Sequence, residues 1–311
     1  MISLADIKAA YKVVSRVAIE TPLLPLKFFD RPETYVKCEN LQRAGAFKFR
    51  GAYNLIASIA PKMRKSGVVA YSSGNHAQGV ALAAKMFGVP ACIVMLNQSV
   101  PHKVEGTKAF GAEVILGGDS SEKIKTRAEE EAKQRGATLV PPFNHPKIMA
   151  GQGTIGLEIL KQLPGVKSVV VQIGGGGLSG GIATAIKESK KGVKVFGVEP
   201  TGAAKMYESL KKGELVTLPE TNTVADGLKP VRASELTFAT VRKYVDDLVL
   251  VEDDEILDAS RHLILKEKLV VEPSGAAAFA AVMFGKLKLP KGPCAIVLSG
   301  GNADLKLVLG F

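Results

Sequence analysis

Short runs rich in β-branched residues recur along the chain, separated by Ala-rich stretches with a helical repeat. The runs are Val68–Tyr71, Ala91–Leu96, Glu113–Leu116, Ser168–Ile173, Val193–Val198, Asp247–Val251 and Ala295–Leu298. The stretches between them are Ala77–Phe87, Glu122–Arg135, Gly151–Gln162, Ser179–Lys190, Asp254–Lys266 and Gly275–Phe284. Apolar runs without strict alternation predict strands buried on both faces. Their regular alternation with helices predicts an α/β fold of parallel sheets covered by helices. No repeat or low-complexity linker divides the chain, so two domains, if present, are expected to be interleaved.

Glycine-rich turns fall where predicted strands end and helices begin: Tyr71-Ser72-Ser73-Gly74-Asn75-His76, Ile173 to Ser179 (IGGGGLS) and Leu298 to Asn302 (LSGGN). Ligands of open α/β sheets sit beyond the carboxyl ends of the strands, so three such turns predict one composite site.

The 311 residues fit two domains, or one large one, at about 100–200 residues each. No apolar run approaches the ~18 residues of a membrane span, and the first ten residues lack the order of a secretory signal. Cys38, Cys92 and Cys294 are far apart and form no CxxC. That pattern excludes a disulfide framework or structural zinc and points to a reducing, cytoplasmic setting. The net charge of +11 raises the question of a nucleic-acid or membrane partner. The basic residues are dispersed, however, and Ser121 to Arg135 alternates sign like a solvated helix face. Aromatics are 6% with no Trp, too few for a base-stacking platform, so neither partner is expected.

Gly174-Gly175-Gly176-Gly177 before a predicted helix would present successive N–H groups to a phosphate; a tightly packed turn is the plainer reading. The run is not a P-loop. Glu199, ending the next strand, keeps a nicotinamide-dependent dehydrogenase open on this feature alone. Lys48, flanked by Phe47 and Phe49, suits a desolvated amine able to form a Schiff base, although an arbitrary lysine usually snorkels to solvent. A reactive lysine and a phosphate cradle together fit pyridoxal 5′-phosphate.

Six motifs, GAFKFRGA around Lys48, SSGNHAQG from Ser72, AGQGTIGLEI from Ala150, GGGGLSGGIA from Gly174, VEPSGA from Val271 and LSGGN from Leu298, occur in that order. They resemble the threonine dehydratase/serine racemase family of fold-type II (tryptophan synthase β-like) pyridoxal-phosphate enzymes, from about Ile7 onward. The resemblance implies two three-layer α/β lobes with the cofactor in the cleft. Residues 1–66 plus 146–311 would form the large cofactor-binding domain and 67–145 a small mobile one. It also implies a homodimer acting on small amino acids such as serine and threonine.

The resemblance assigns roles as follows. Lys48 would carry the cofactor and act as base at Cα, Phe47 would lie against the ring, and Asn75 would bond its 3′ oxygen. Gly174, Gly175, Gly176, Gly177 and Leu178 would hold the phosphate, Ser299 would face the pyridine nitrogen, and Glu272 would lie nearby. Ser72, Ser73, Gly74, Asn75 and His76 would clasp the substrate, His76 as a positioning group. The reaction implied is loss of the β-hydroxyl from L-serine or L-threonine, giving pyruvate or 2-oxobutanoate and ammonia. Ser73 stands where plain threonine dehydratases commonly carry Ala and serine racemases carry Ser. Its hydroxyl on the face opposite the lysine would add racemisation, which needs acid/base groups on both faces. As a spectator hydroxyl it would leave a dehydratase.

Two departures from the family pattern stand out. Ala46 replaces the usual Ser or Thr two residues before the lysine. Glu199, Ala203 and Lys205 align with the divalent-cation site of racemase-type relatives, but Lys205 replaces the expected Asp. A metal is therefore doubtful, with Lys205 expected to pair with Glu199 as an internal cation. Asp226 matches a family turn near the substrate mouth or is simply an Asp-Gly turn. His102, His145 and His262 show no ligand spacing. Without the C-terminal regulatory domain of biosynthetic threonine dehydratases, inhibition by isoleucine is not expected.

Overall fold

The structure is a computed structural model that describes residues 1–310, leaving aside the side chain of His102. The first part of the chain runs α1 (Leu4–Val14), β1 (Leu23–Pro25), β2 (Thr34–Cys38), α2 (Lys48–Ser58), α3 (Pro61–Arg64), β3 (Val68–Tyr71), α4 (Asn75–Phe87), β4 (Ala91–Met95), α5 (Pro101–Ala109), β5 (Glu113–Leu116), α6 (Ser121–Arg135) and β6 (Thr138–Leu139). Then come α7 (Pro146–Gln162), β7 (Ser168–Gln172), α8 (Gly177–Ser189), β8 (Lys194–Pro200), α9 (Lys205–Lys212), α10 (Glu235–Tyr244), β9 (Asp247–Val251), α11 (Asp253–Leu265), α12 (Pro273–Met283), β10 (Cys294–Leu298) and α13 (Leu305–Leu309).

The strands form two sheets. The larger has the order β1-β2-β10-β7-β8-β9 and is parallel except for the edge strand β1. The smaller, β5-β4-β3-β6, is parallel throughout. Each is the middle of three layers. In the small sheet, Val68, Ala70, Ile93 and Met95 pack against α2 and α4, while Val69, Cys92 and Val94 pack against α6. In the large sheet, Val170, Phe196 and Ile296 face α11 and α12, while Val169, Val171, Val195 and Val297 face α7 and α8. Burial on both faces explains why the strands read as apolar runs. Cys38, Cys92 and Cys294 are all buried and free.

Strand order concentrates the turns. β10 lies between β2 and β7, so the turn after Leu298 sits beside the glycine run that follows β7. β3 lies between β4 and β6, so the Ser72–His76 turn sits between the chain ends leaving those two strands.

Helix α7 starts five residues before the apolar repeat predicts. Pro146 supplies a preset first residue, and the His145 ring accepts the Lys147 N–H at 3.1 Å. Its glycines serve close approach rather than turning. A Cβ on Gly151 would lie 2.6 Å from the Gly51 Cα, and one on Gly153 2.9 Å from the Gly181 carbonyl oxygen. Helices α2, α7 and α8 therefore cross almost backbone to backbone.

Strand β2 escapes the apolar pattern because Lys37 sits inside it, fully buried. Its Nζ donates to Glu158 at 2.6 Å and to the Thr21 carbonyl at 2.6 Å. Arg50, also fully buried, joins Glu158 (2.6 Å) to Glu39 (2.8 Å). Burial works to raise the Glu39 carboxyl, but the Arg50 guanidinium overcomes it and holds the group below the usual carboxylate range. This ionic core clamps α2, two residues beyond Lys48, against α7.

Candidate active site

Lys48 opens α2, immediately after Phe47. The Phe47 N–H donates to the Ser299 carbonyl at 3.1 Å, and Ala46 bridges to Gly300. The turn after β10 thus fixes where the lysine emerges. Its Nζ lies 5.2 Å from the Phe47 ring centroid and donates to the Pro142 carbonyl at 2.9 Å. Burial pulls the amine down to about 8, against the opposing pull of the Glu272 carboxylate. An amine so poised has a substantial neutral fraction near physiological pH, as carbonyl chemistry requires.

The glycine run forms the mouth of α8. Gly176 has φ +90° and caps the helix, and the first intrahelical bond runs from Gly180 N–H to the Gly176 carbonyl. The N–H groups of Gly177, Leu178 and Ser179 have no partner within the helix, at its positive end. Side chains are excluded on every side of the run. A Cβ on Gly174 would meet the Gly227 carbonyl at 2.6 Å, on Gly175 the Phe143 ring at 2.1 Å, and on Gly176 Thr237 at 2.8 Å. A Cβ on Gly177 would also press on Phe143, at 3.0 Å. Bare donors in a walled cradle fit a phosphate.

Asn75 opens α4. Its Nδ2 donates to Glu272 Oε1, and its Oδ1 accepts from Asn302 Nδ2 at 2.8 Å. One amide hydrogen of Asn75 remains for a ring oxygen. Burial pushes the Glu272 carboxyl up to about 7, although the Asn75 hydrogen bond opposes the shift. Glu272 N–H in turn donates to the Gly300 carbonyl, and Ser299 is 4% exposed at the end of β10. Asn75, Glu272, Ser299 and Phe47 are therefore joined through the turn after β10.

In the substrate-loop candidate, Gly74 has nothing within 4 Å of where a Cβ would project. The Gly74 N–H donates to the Ser72 hydroxyl. The Ser73 hydroxyl accepts the Leu96 N–H at 2.9 Å and lies 2.7 Å from the Ser99 hydroxyl. His76 is buried, its Nε2 2.9 Å from the Val140 carbonyl and its Nδ1 without a partner. Burial, reinforced by Lys48, drives its imidazole down to about 3, so it is neutral. A neutral ring held by the Val140 carbonyl suits a positioning group for the loop.

Sequence reasoning missed several participants. The Val140–Phe143 segment holds His76 through Val140, Lys48 through Pro142 and the glycine run through Phe143. It carries no chemistry-bearing side chain, so no sequence signal marks it. Asn302 was visible only as part of a turn. Lys103 on α5 reaches Asp226 at 3.0 Å, joining an element beside the small sheet to a turn beside the large one.

The cation position departs from what a divalent ion needs. Lys205 Nζ lies 2.7 Å from Glu199 Oε1, and both side chains are fully buried. An ammonium fills the place, and no cluster of three or more His, Cys, Asp or Glu suited to a metal occurs among the described residues.

Comparison with known proteins agrees with this geometry. The family model described as "Pyridoxal-phosphate dependent enzyme" matches residues 14–300. The L-threonine ammonia-lyase of Thermotoga maritima is 45% identical over 99% of this chain and 77% of its own. The serine racemase of Schizosaccharomyces pombe is 36% identical over 98% of this chain and 96% of its own. Among solved structures, maize serine racemase superposes with a TM-score of 0.95 at 36% identity, covering 99% of this chain and 96% of that one. The serine racemase of Dictyostelium discoideum gives 0.91 at 34%, covering 98% and 99%. The walled phosphate cradle, the buried amine and these likenesses agree: the chain is a fold-type II pyridoxal-phosphate-dependent enzyme of the threonine dehydratase/serine racemase family.

Proposed function

We propose that the enzyme interconverts L- and D-serine and also removes water from L-serine and L-threonine, giving pyruvate or 2-oxobutanoate and ammonia. The observation that carries this reading is the Ser73–Ser99 hydroxyl pair. Ser99 Oγ lies 2.7 Å from both Ser73 Oγ and the Leu96 carbonyl oxygen. If Ser99 gives its proton to Leu96, Ser73 donates to Ser99. If Ser99 gives its proton to Ser73, the Ser73 proton is free for the cleft. One hydroxyl rotation switches the Ser73 O–H between Ser99 and the cleft, and with its proton directed to the cleft Ser73 can donate to Cα.

When bound, pyridoxal phosphate supplies an electron sink for charge developing at the substrate Cα. Lys48 would hold the cofactor and then take the Cα proton on its own face. Ser73 would serve the opposite face. The Gly174–Leu178 backbone would hold the phosphate, Asn75 the ring oxygen and Ser299 the ring nitrogen. The N–H groups of the Ser72–His76 turn, at the positive end of α4, would grip the substrate carboxylate. Closure of residues 67–145 over the cleft would exclude water, with the Lys103–Asp226 pair as its latch.

A dehydratase without racemase activity is the second reading. The Leu96 N–H bond to the Ser73 hydroxyl favours it, since a hydroxyl anchored to the backbone also suits a spectator. Measuring D-serine formed from L-serine by the wild type and by Ser73→Ala separates the two. Racemisation should fall by about 10²-fold or more in the variant, with threonine deamination retained. No D-serine from the wild type leaves the dehydratase, and equal D-serine from both proteins overturns Ser73 as the group serving the opposite face. The family resemblance further supports a homodimer, and the three free cysteines suit a reducing, cytoplasmic setting.

A further inference from the structure

Four oxygen atoms converge on the Lys205 ammonium. Besides Glu199 Oε1 at 2.7 Å, the carbonyl oxygens of Ala203 (3.1 Å), Leu228 (3.1 Å) and Ile173 (3.2 Å) surround it. The four come from separate places in the chain: β8, the turn at Thr201–Ala203, the turn at Asp226–Leu228, and the residue just before the glycine run. Only acceptors face the nitrogen. Only donors face the carboxylate, namely Lys205 and the N–H groups of Met206 (3.0 Å) and Tyr207 (2.9 Å). Burial pushes Glu199 up and Lys205 down, each toward neutrality. The contacts favour the ionic form: an ammonium offers three protons to the four oxygens around it, whereas proton transfer to Glu199 would leave an amine with two N–H groups for three carbonyls. The pair is ionic.

We infer that this cage is a cation site whose cation is tethered to the chain, and that emptying it would create a site for a free monovalent ion. The cage charge is −1, which an ammonium balances and a divalent ion would exceed. Its 2.7–3.2 Å contacts suit potassium or ammonium, and exceed the ~2.0–2.6 Å that Mg²⁺ and Ca²⁺ demand. The tether also has a mechanical role. Ile173 leads directly into Gly174, whose Cα packs on the Gly227 carbonyl, and Leu228 follows that residue. Lys205 therefore clamps the base of the phosphate cradle to the turn bearing Asp226. This role does not depend on whether the enzyme racemises serine.

The test uses purified holoenzyme, with Tm and retention of the bound cofactor on gel filtration as readouts. Wild-type protein should hold no stoichiometric divalent metal by elemental analysis, and its Tm should ignore EDTA, MgCl₂ and CaCl₂. Lys205→Ala should lose on the order of 10 °C in Tm and release cofactor more readily. Potassium, ammonium or methylammonium chloride should restore both, and choline chloride at equal ionic strength should not. Lys205→Met keeps the stem and blocks the cage, so it should be destabilised and beyond rescue by any salt. The inference is overturned by metal bound at stoichiometry with a matching rise in wild-type Tm, by Lys205→Met as stable as wild type, or by a folded Lys205→Ala that no cation improves. Should Lys205→Ala fail to fold without salt, purification in potassium against choline separates the same outcomes: folded protein in potassium alone supports the cage, and no folded protein in either salt overturns it.

Discussion

The hydroxyls of Ser73 and Ser99 lie 2.7 Å apart, on the turns that leave β3 and β4. Neighbouring parallel strands end side by side, so the two residues meet although 26 positions separate them. Removing Ser99 removes one of the two contacts that orient Ser73. Ser99→Ala should lower D-serine formation by about 5–10-fold, the worth of roughly one hydrogen bond, while pyruvate formation changes less than twofold. A parallel fall in both rates would mean a general disturbance of the loop instead.

Cofactor capture should report the depressed Lys48 amine. The neutral amine is the reactive form, so the rate at which apo-protein takes up pyridoxal phosphate should rise with pH and level off above about 8. Glu272 holds a negative charge near the amine and raises its pKa. Glu272→Gln should therefore shift the inflection to lower pH. Stopped-flow absorbance measures both, and a rate that keeps climbing toward the ordinary lysine value of 10.5 would contradict the expectation.

The phosphate cradle should not tolerate a methyl group. A Cβ at position 175 would fall 2.1 Å from the Phe143 ring. Gly175→Ala should fold, with the loop displaced, and lose cofactor at least tenfold more readily on dialysis. Cofactor affinity equal to wild type would show that the loop is free to relax.

The ionic core should matter to stability far more than to chemistry. Arg50→Met strands Glu39 and Glu158 without their shared partner in a buried site. Breaking such a buried network costs about 3–5 kcal/mol. Urea unfolding should register most of that loss. The folded fraction should keep near-normal kcat, because Arg50 does not reach the cleft. A change below about 1 kcal/mol would show that water enters to solvate the carboxylates.

The fold was largely legible because buried parallel strands leave an unmistakable apolar signature. What escaped did so for physical reasons. Lys37 and Arg50 carry no sequence signal of burial, since only tertiary structure brings Glu39 and Glu158 to them. The start of α7 was hidden because Pro146, which breaks a helix in its interior, here opens one. For the site, Gly174–Gly177 and Lys48 announced themselves through local composition. Ser99 and Pro142 did not, because their roles exist only once strands from distant positions lie side by side.

The Val140–Phe143 segment acts as a ruler. Pro141 and Pro142 fix their φ angles and offer no N–H, so the segment is stiff and its carbonyls are free to accept. Within four residues it grips the buried histidine of one loop, Lys48 and the wall of the glycine cradle. Its length, more than its side chains, sets the spacing of the three. One residue inserted there would put all of them out of step at once, while leaving every candidate site residue intact.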